Sequence, residues 1–120
     1  MTERLCFSVA KIKSWEFATK NRDENLLQSN LYSLGPLSVC VEADSWQFYR
    51  SGVITSNCGD DLDHCVLLTG WGKQTRAGQD ETYWILRNSW GTSWGENGYI
   101  RILKGKNLCG IADEATTARV

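Results

Sequence analysis

The stretch Tyr83–Gly105, "YWILRNSWGTSWGENGYIRILKG", decides how the rest of the chain is read. Its two ends, "YWILRNS" and "GYIRILKG", are rich in aromatic and β-branched residues and read as strands. The middle interleaves glycine with tryptophan, the smallest residue with the bulkiest, which builds neither an ordinary helix nor an ordinary strand. Some chemical demand must hold Asn88 beside Trp90, with Trp94 four positions further on.

Working outward, "HCVLLTGWG" reads as a strand preceding "ETYWILRNS". The polar, glycine-containing "KQTRAGQD" between them is expected to be an exposed hairpin loop. Further upstream, "LSVCVEA" alternates, with Leu37, Val39 and Val41 facing one way and Ser38, Cys40 and Glu42 the other, as a half-buried strand does. "NRDENLLQSNLYSLGP" reads as one helix. Asn21 or Asp23 caps its start, Glu24 suits the positive end of the helix dipole, Leu27, Leu31 and Leu34 share a face, and Gly35-Pro36 ends it. "DSWQFYRSG" is compatible with a short helical turn capped by Asp44 or Ser45. The pattern is mostly β with one or two helices, a small and largely antiparallel sheet or barrel. It contains no internal repeat and no low-complexity linker.

Composition narrows the function classes. The 120 residues make one domain, able to bury roughly two thirds of the surface its unfolded chain exposes. A hydrophobic share of 42% and a charged share of 22% argue against disorder. A formal charge of −1 leaves no excess of Lys and Arg for tracking phosphates, so no nucleic-acid partner is expected. "MTERLCFSVAKIKSW" has no uninterrupted apolar core and does not read as a signal peptide, and no stretch is long enough to span a bilayer. No two of the five cysteines form a C-x-x-C clamp and one histidine cannot supply a two-histidine zinc site, so neither metal nor other cofactor is expected. An odd cysteine count in an oxidising setting points to a partner thiol outside the chain.

The only histidine, His64, starts one strand and Asn88 ends the next. Adjacent antiparallel strands bring the start of one beside the end of the other, so the two side chains can meet. An imidazole that presents one nitrogen to a reacting group needs its other N–H held by an acceptor, and a neutral amide oxygen does this without adding charge. Trp90 could then cover that hydrogen bond and keep water from it. On spacing alone, a lone histidine is more often an ordinary core or surface residue.

The blocks "LDHCVLLTGWG", "YWILRNSWGTSWGENGYIRI" and "NLCGIADEA", with "GPLSVCVEADSWQFYRSGVI" upstream, resemble papain-like cysteine peptidases of the cathepsin type, from about Leu26 to Val120. The resemblance implies an α+β fold. It would be the β-rich, barrel-like right-hand domain of that peptidase fold, with one N-terminal helix. His64 would be the general base, Asn88 its orienting partner, Trp90 the shield of their hydrogen bond, and Trp94 a wall of the primed side of the cleft. Cys40, Leu62, Cys65 and Glu114 would line the S2 pocket, and Glu114 on its floor would admit Arg as well as Leu or Phe at P2. Cys58 and Cys109 would be bridged, and Cys6 would pair with a cysteine outside the chain. Cys40 and Cys65, which such walls would bring near each other on neighbouring strands, would be either two buried free thiols or an additional bridge; free thiols are favoured, because alternation along the strand turns Cys65 away. The implied setting is lysosomal, vacuolar or secreted.

The family's nucleophile run, a C-G-S/A-C-W-like block with a glutamine before it, is not found here, and no cysteine is followed by Trp or Tyr. Cys65 is no substitute, since neighbouring strand residues point to opposite faces. Residues 1–20 are therefore expected to be the tail of a helical domain and crossover, and residues 21–120 the β-rich domain. The implied function is half of a cysteine endopeptidase, hydrolysing peptide or protein substrates when joined to the N-terminal half that bears the nucleophile, and inactive alone. The alternative is a solitary, non-catalytic peptidase-like domain that serves as a binding module or is a remnant.

Overall fold

A computed structural model describes residues 14–119. The alternation in "LSVCV" becomes strand β2 (Leu37–Val41), in which Leu37, Val39 and Val41 have no exposed surface. The same buried face continues through β4 (His64–Arg76), β5 (Gln79–Arg87) and β6 (Tyr99–Leu103) as Val66, Leu68, Trp84, Leu86, Ile100 and Ile102. Three further strands, β1 (Ser14–Phe17), β3 (Val53–Ile54) and β7 (Glu114–Arg119), complete a seven-stranded sheet ordered β1-β7-β2-β4-β5-β6-β3. Every pairing is antiparallel except β3 with β6. β1, β3 and β7 carry too short or too polar a pattern to be read from sequence. β1 lies within the first twenty residues and pairs with β7, so the sheet begins before residue 21.

Helix α1 (Glu24–Leu34) covers part of the sheet's apolar face through Leu27 and Leu31, both buried. Asp23 caps it, its side chain accepting from the backbone N–H groups of Asn25 and Leu26 at 2.9 and 3.2 Å. Gly35 ends it at φ 87°, a left-handed value that glycine takes without a Cβ penalty. Leu34, the last helical residue, is 46% exposed, so the apolar stripe holds two leucines rather than three. Glu24 does more than suit the helix dipole. Its carboxylate accepts from the indole Nε1 of buried Trp84 and from the backbone N–H groups of Gly105 and Asn107, at 2.9–3.0 Å. One side chain thus ties the helix start to β5 and to the loop after β6.

Two local expectations need correction. The segment expected as a loop is paired strand: Lys73, Gln74, Thr75 and Arg76 lie opposite Thr82, Glu81, Asp80 and Gln79. Only Ala77 and Gly78 turn, both at positive φ, and a two-residue turn of that kind matches the strands' own twist. Polar cross-strand pairs hold the extension together, including Arg76 with Glu81 at 3.1 Å and Thr75 with Asp80 at 3.0 Å. The short turn over Asp44–Phe48 is 3₁₀ and has Ala43 at its cap, with neither Asp44 nor Ser45 bonding to it. The Ala43 N–H is satisfied across the fold instead, by the Asp63 carboxylate at 2.8 Å.

Candidate active site

His64 is the last rung of the β2–β4 ladder, opposite Val41, and its position on β4 shares the buried face of Val66 and Leu68. Asn88 follows β5 directly, its backbone N–H donating to Gly98 O at 2.9 Å, and is only 5% exposed. The strands bring the pair together: His64 Nε2 lies 2.8 Å from Asn88 Oδ1. The Ser89 N–H donates to the same oxygen at 2.7 Å, which identifies that atom as the amide's acceptor. Nε2 therefore carries the proton, and the Nδ1 lone pair is left to act as a base. Ser89, which supplies this second anchor, was not singled out from the sequence, because a backbone donor leaves no mark on residue type.

The tryptophans form a column behind the imidazole. Trp90 stacks on His64 with ring centroids 5.4 Å apart and planes 22° from parallel, and remains 41% exposed on its other side. Trp94 meets Trp90 edge-on at 5.3 Å and packs between Tyr49 and Trp46. Its indole N–H donates to Trp46 O at 2.9 Å. Trp46, wholly buried on the 3₁₀ turn, is the foundation of the column and went unremarked in the sequence. A cavity of about 490 Å³ opens beside His64, lined by Ala43, Asp44, Gln47, Asp63 and Trp90. Trp94 borders a separate cavity of about 550 Å³ with Phe48 and Tyr49.

The residues expected at S2 are partly gathered. Glu114 of β7 lies opposite Cys40 of β2, which lies opposite Cys65 of β4, so the three form one row across the sheet. Cys40 and Cys65 are disulfide-bonded, with Cα atoms 3.9 Å apart, which corrects the expectation of free thiols. Alternation along each strand was the wrong guide, because residues directly opposite in an antiparallel pair point to the same face whatever that face is. Glu114 is exposed, and Leu62 packs its Cδ2 against Gly110. Cys58 and Cys109 form the second disulfide, with Cys109 fully buried. Four of the five cysteines are thus bridged, and Cys6 lies outside the described residues.

Known proteins match this chain over most of its length. The family profile described as papain family cysteine protease matches residues 2–119. A senescence-specific cysteine protease of Oryza sativa subsp. japonica is 42% identical over 113 residues, covering 89% of this chain and 32% of its own length. Cathepsin O of Homo sapiens is 39% identical over 112 residues, covering 92% of this chain and 33% of its own. The solved structure of digestive procathepsin L 3 from the Tenebrio molitor larval midgut superposes with a TM-score of 0.82 at 39% identity, over 94% of this chain and 37% of that one. The chain spans about a third of the length of the curated relatives it matches.

Proposed function

The chain belongs to the papain family of cysteine proteases, and from that premise we propose that it supplies the base and its orienting amide to a peptidase site whose nucleophile comes from outside these 120 residues. The observation that carries the reading is the His64–Asn88 contact, with Asn88 Oδ1 anchored a second time by Ser89. A merely structural histidine has no need of an amide so fixed. In the proposed site, Nδ1 takes the proton of a cysteine thiol, leaving a thiolate–imidazolium pair that lowers the thiol's pKa. The thiolate attacks the substrate carbonyl, and the imidazolium returns the proton to the leaving amine. Water, deprotonated by the same imidazole, then releases the acyl group and the thiol. Trp90 covers the imidazole while Asn88 keeps its proton on Nε2 throughout.

The disulfide-bonded cysteines cannot serve as the nucleophile, since the reactive form is a free thiolate. Two disulfides suit the oxidising setting of a lysosomal, vacuolar or secreted protease. The test is hydrolysis of a dipeptidyl fluorogenic substrate. The pure chain is expected to show none, and addition of a helical, nucleophile-bearing half from a papain-family relative is expected to produce it. In that mixture His64→Ala should reduce the rate by about 10²- to 10⁴-fold, the usual contribution of a positioned base. Hydrolysis by the pure chain that survives His64→Ala would remove this reading.

A further inference from the structure

The two disulfides differ in what solvent can reach. Cys58–Cys109 is closed off: Cys109 is fully buried, Cys58 is half-buried, and the Cys58 sulfur lies 3.3 Å from Glu42 O. Cys40–Cys65 lies on the outer face of the sheet, with Cys65 exposed and Cys40 half-buried. The pairing of the sheet does not depend on it. β2 has a ladder to β4 along its whole length and a second ladder to β7, and Leu37, Val39 and Val41 hold its other face in the core. Cys65 follows His64 directly, and Glu114 stands opposite Cys40 on the far side. Opposite residues of an antiparallel pair share a face with Cβ atoms about 4.5–5.5 Å apart, so the Glu114 carboxylate and the Cys40 sulfur are neighbours. A bridged sulfur has no proton to give that carboxylate, whereas a thiol has one.

We propose that Cys40–Cys65 is a redox-modification site for small thiols, and that opening it turns Glu114 away from an incoming substrate and toward Cys40. Placing this row in the substrate pocket rests on the proposed function; the accessibility of the bridge does not. A pocket that admits a P2 side chain also admits a small thiol, and exposed disulfides are the ones that exchange readily. The thiolate attacks the Cys65 sulfur, which is exposed and lies one strand further from Glu114 than Cys40 does. A mixed disulfide forms on Cys65, and the Cys40 sulfur leaves with the bonding electron pair and takes a proton from water. A second small thiolate attacks the small-molecule sulfur of that mixed disulfide. Cys65 then leaves and is protonated in turn, and the two small thiols end as their own disulfide. The chain gains two electrons, both from the small thiol, and two protons. The freed Cys40 S–H donates to Glu114 and competes with a substrate guanidinium for the same oxygens, while an apolar P2 side chain makes no such demand. Opening therefore shifts preference from P2-Arg toward P2-Leu and leaves the base in place.

The experiment starts from the oxidised 120-residue chain with its free thiol blocked, and uses reduced glutathione as the probe. Samples quenched with iodoacetamide are mapped by mass spectrometry. Cys40 and Cys65 are expected to open at least about tenfold faster than Cys58 and Cys109, because exchange follows access, with glutathione appearing first on Cys65. The Glu114 carboxyl carbon, followed by NMR in labelled chain, should shift as the bridge opens. Equal opening of the two bridges, opening only in denaturant, or an unmoved Glu114 carboxyl would overturn the proposal and leave the bridge a staple. Turnover is scored separately, with the helical half of a papain-family relative added to the oxidised or the opened chain. The ratio of kcat/KM for P2-Arg to that for P2-Leu should fall about threefold or more on opening, the worth of one competing hydrogen bond. Cys65→Ala keeps the Cys40 thiol beside Glu114 and should show the low ratio, whereas Cys40→Ala, which lacks that thiol, should not. A ratio indifferent to opening would also overturn the proposal. Absence of turnover in every mixture would discard the proposed function, while selective opening and the response of Glu114 would still decide this site.

Discussion

Glu96 holds the connection that delivers Trp90 to His64. Its carboxylate takes the Arg101 guanidinium in a two-point grip at 2.8 and 2.9 Å and the Gly52 N–H at 3.0 Å. The Arg101 hydrogen bond, against the opposing effect of burial, holds the Glu96 carboxyl below its ordinary value of 4.5. A depressed carboxylate contributes stability that is present above its unfolded-state value and is lost as pH falls through its folded-state value. Stability should therefore decline below about pH 4.5, and Glu96→Gln should remove part of that acid slope, measured by urea unfolding at several pH values. Glu114 carries the prediction for specificity. Its place in the Cys40–Cys65 row, exposed and without an ion pair among the described residues, leaves the carboxylate free to meet a guanidinium. In an assembled enzyme, Glu114→Ala should lower kcat/KM for P2-Arg substrates far more than for P2-Leu or P2-Phe. Equal losses would take Glu114 out of the pocket.

Between elements, single side chains do the joining. Glu24 connects α1, β5 and the loop after β6 through three donors, one of them the indole of buried Trp84. Glu24→Ala leaves that indole N–H without its acceptor, a cost on the order of 2–3 kcal/mol. The midpoint of urea unfolding should fall accordingly with its slope unchanged. The β4–β5 pair shows a different economy. An extra residue at Thr69 bulges β4 between Leu68 and Gly70, so that Leu68 and Trp71 fall opposite Leu86 and Trp84 on one side of the sheet. The Thr69 hydroxyl bonds Ile85 O at 3.1 Å across the bulge. A strict alternation read along "HCVLLTGWG" cannot place both halves of that strand on the core, and the bulge is what reconciles them.

At the scale of the whole molecule, the Cys58–Cys109 bridge joins the segment before β4 to the turn before β7 across a sequence separation of 51. Loop-closure entropy assigns such a link about 4 kcal/mol. Replacing both cysteines by serine should lower stability by an amount of that order, read as a shift in the denaturation midpoint. Thiol titration of the unfolded, non-reduced chain should find Cys6 alone, since the other four cysteines are bridged. Five reactive thiols in oxidised material would contradict both bridges.

Much of this architecture is written in short-range pattern. The Asp23 cap, the inward set Leu37, Val39 and Val41, and the strands flanking the Trp-Gly segment depend on residue type and spacing within a few positions. Backbone sterics and side-chain alternation act over that range, so the amino-acid order alone suffices for them. His64 and Asn88 could be nominated as partners by the same logic, as the start of one strand and the end of the next. Whatever depends on which strand lies beside which had to await the folded chain. β7 inserts between β1 and β2, and only that arrangement lines up Glu114, Cys40 and Cys65. Trp46 reaches the tryptophan column behind His64 only because distant segments converge. The physical reason is that register and neighbour choice are settled by burying the whole apolar face at once, a condition that no single stretch of sequence can satisfy or reveal.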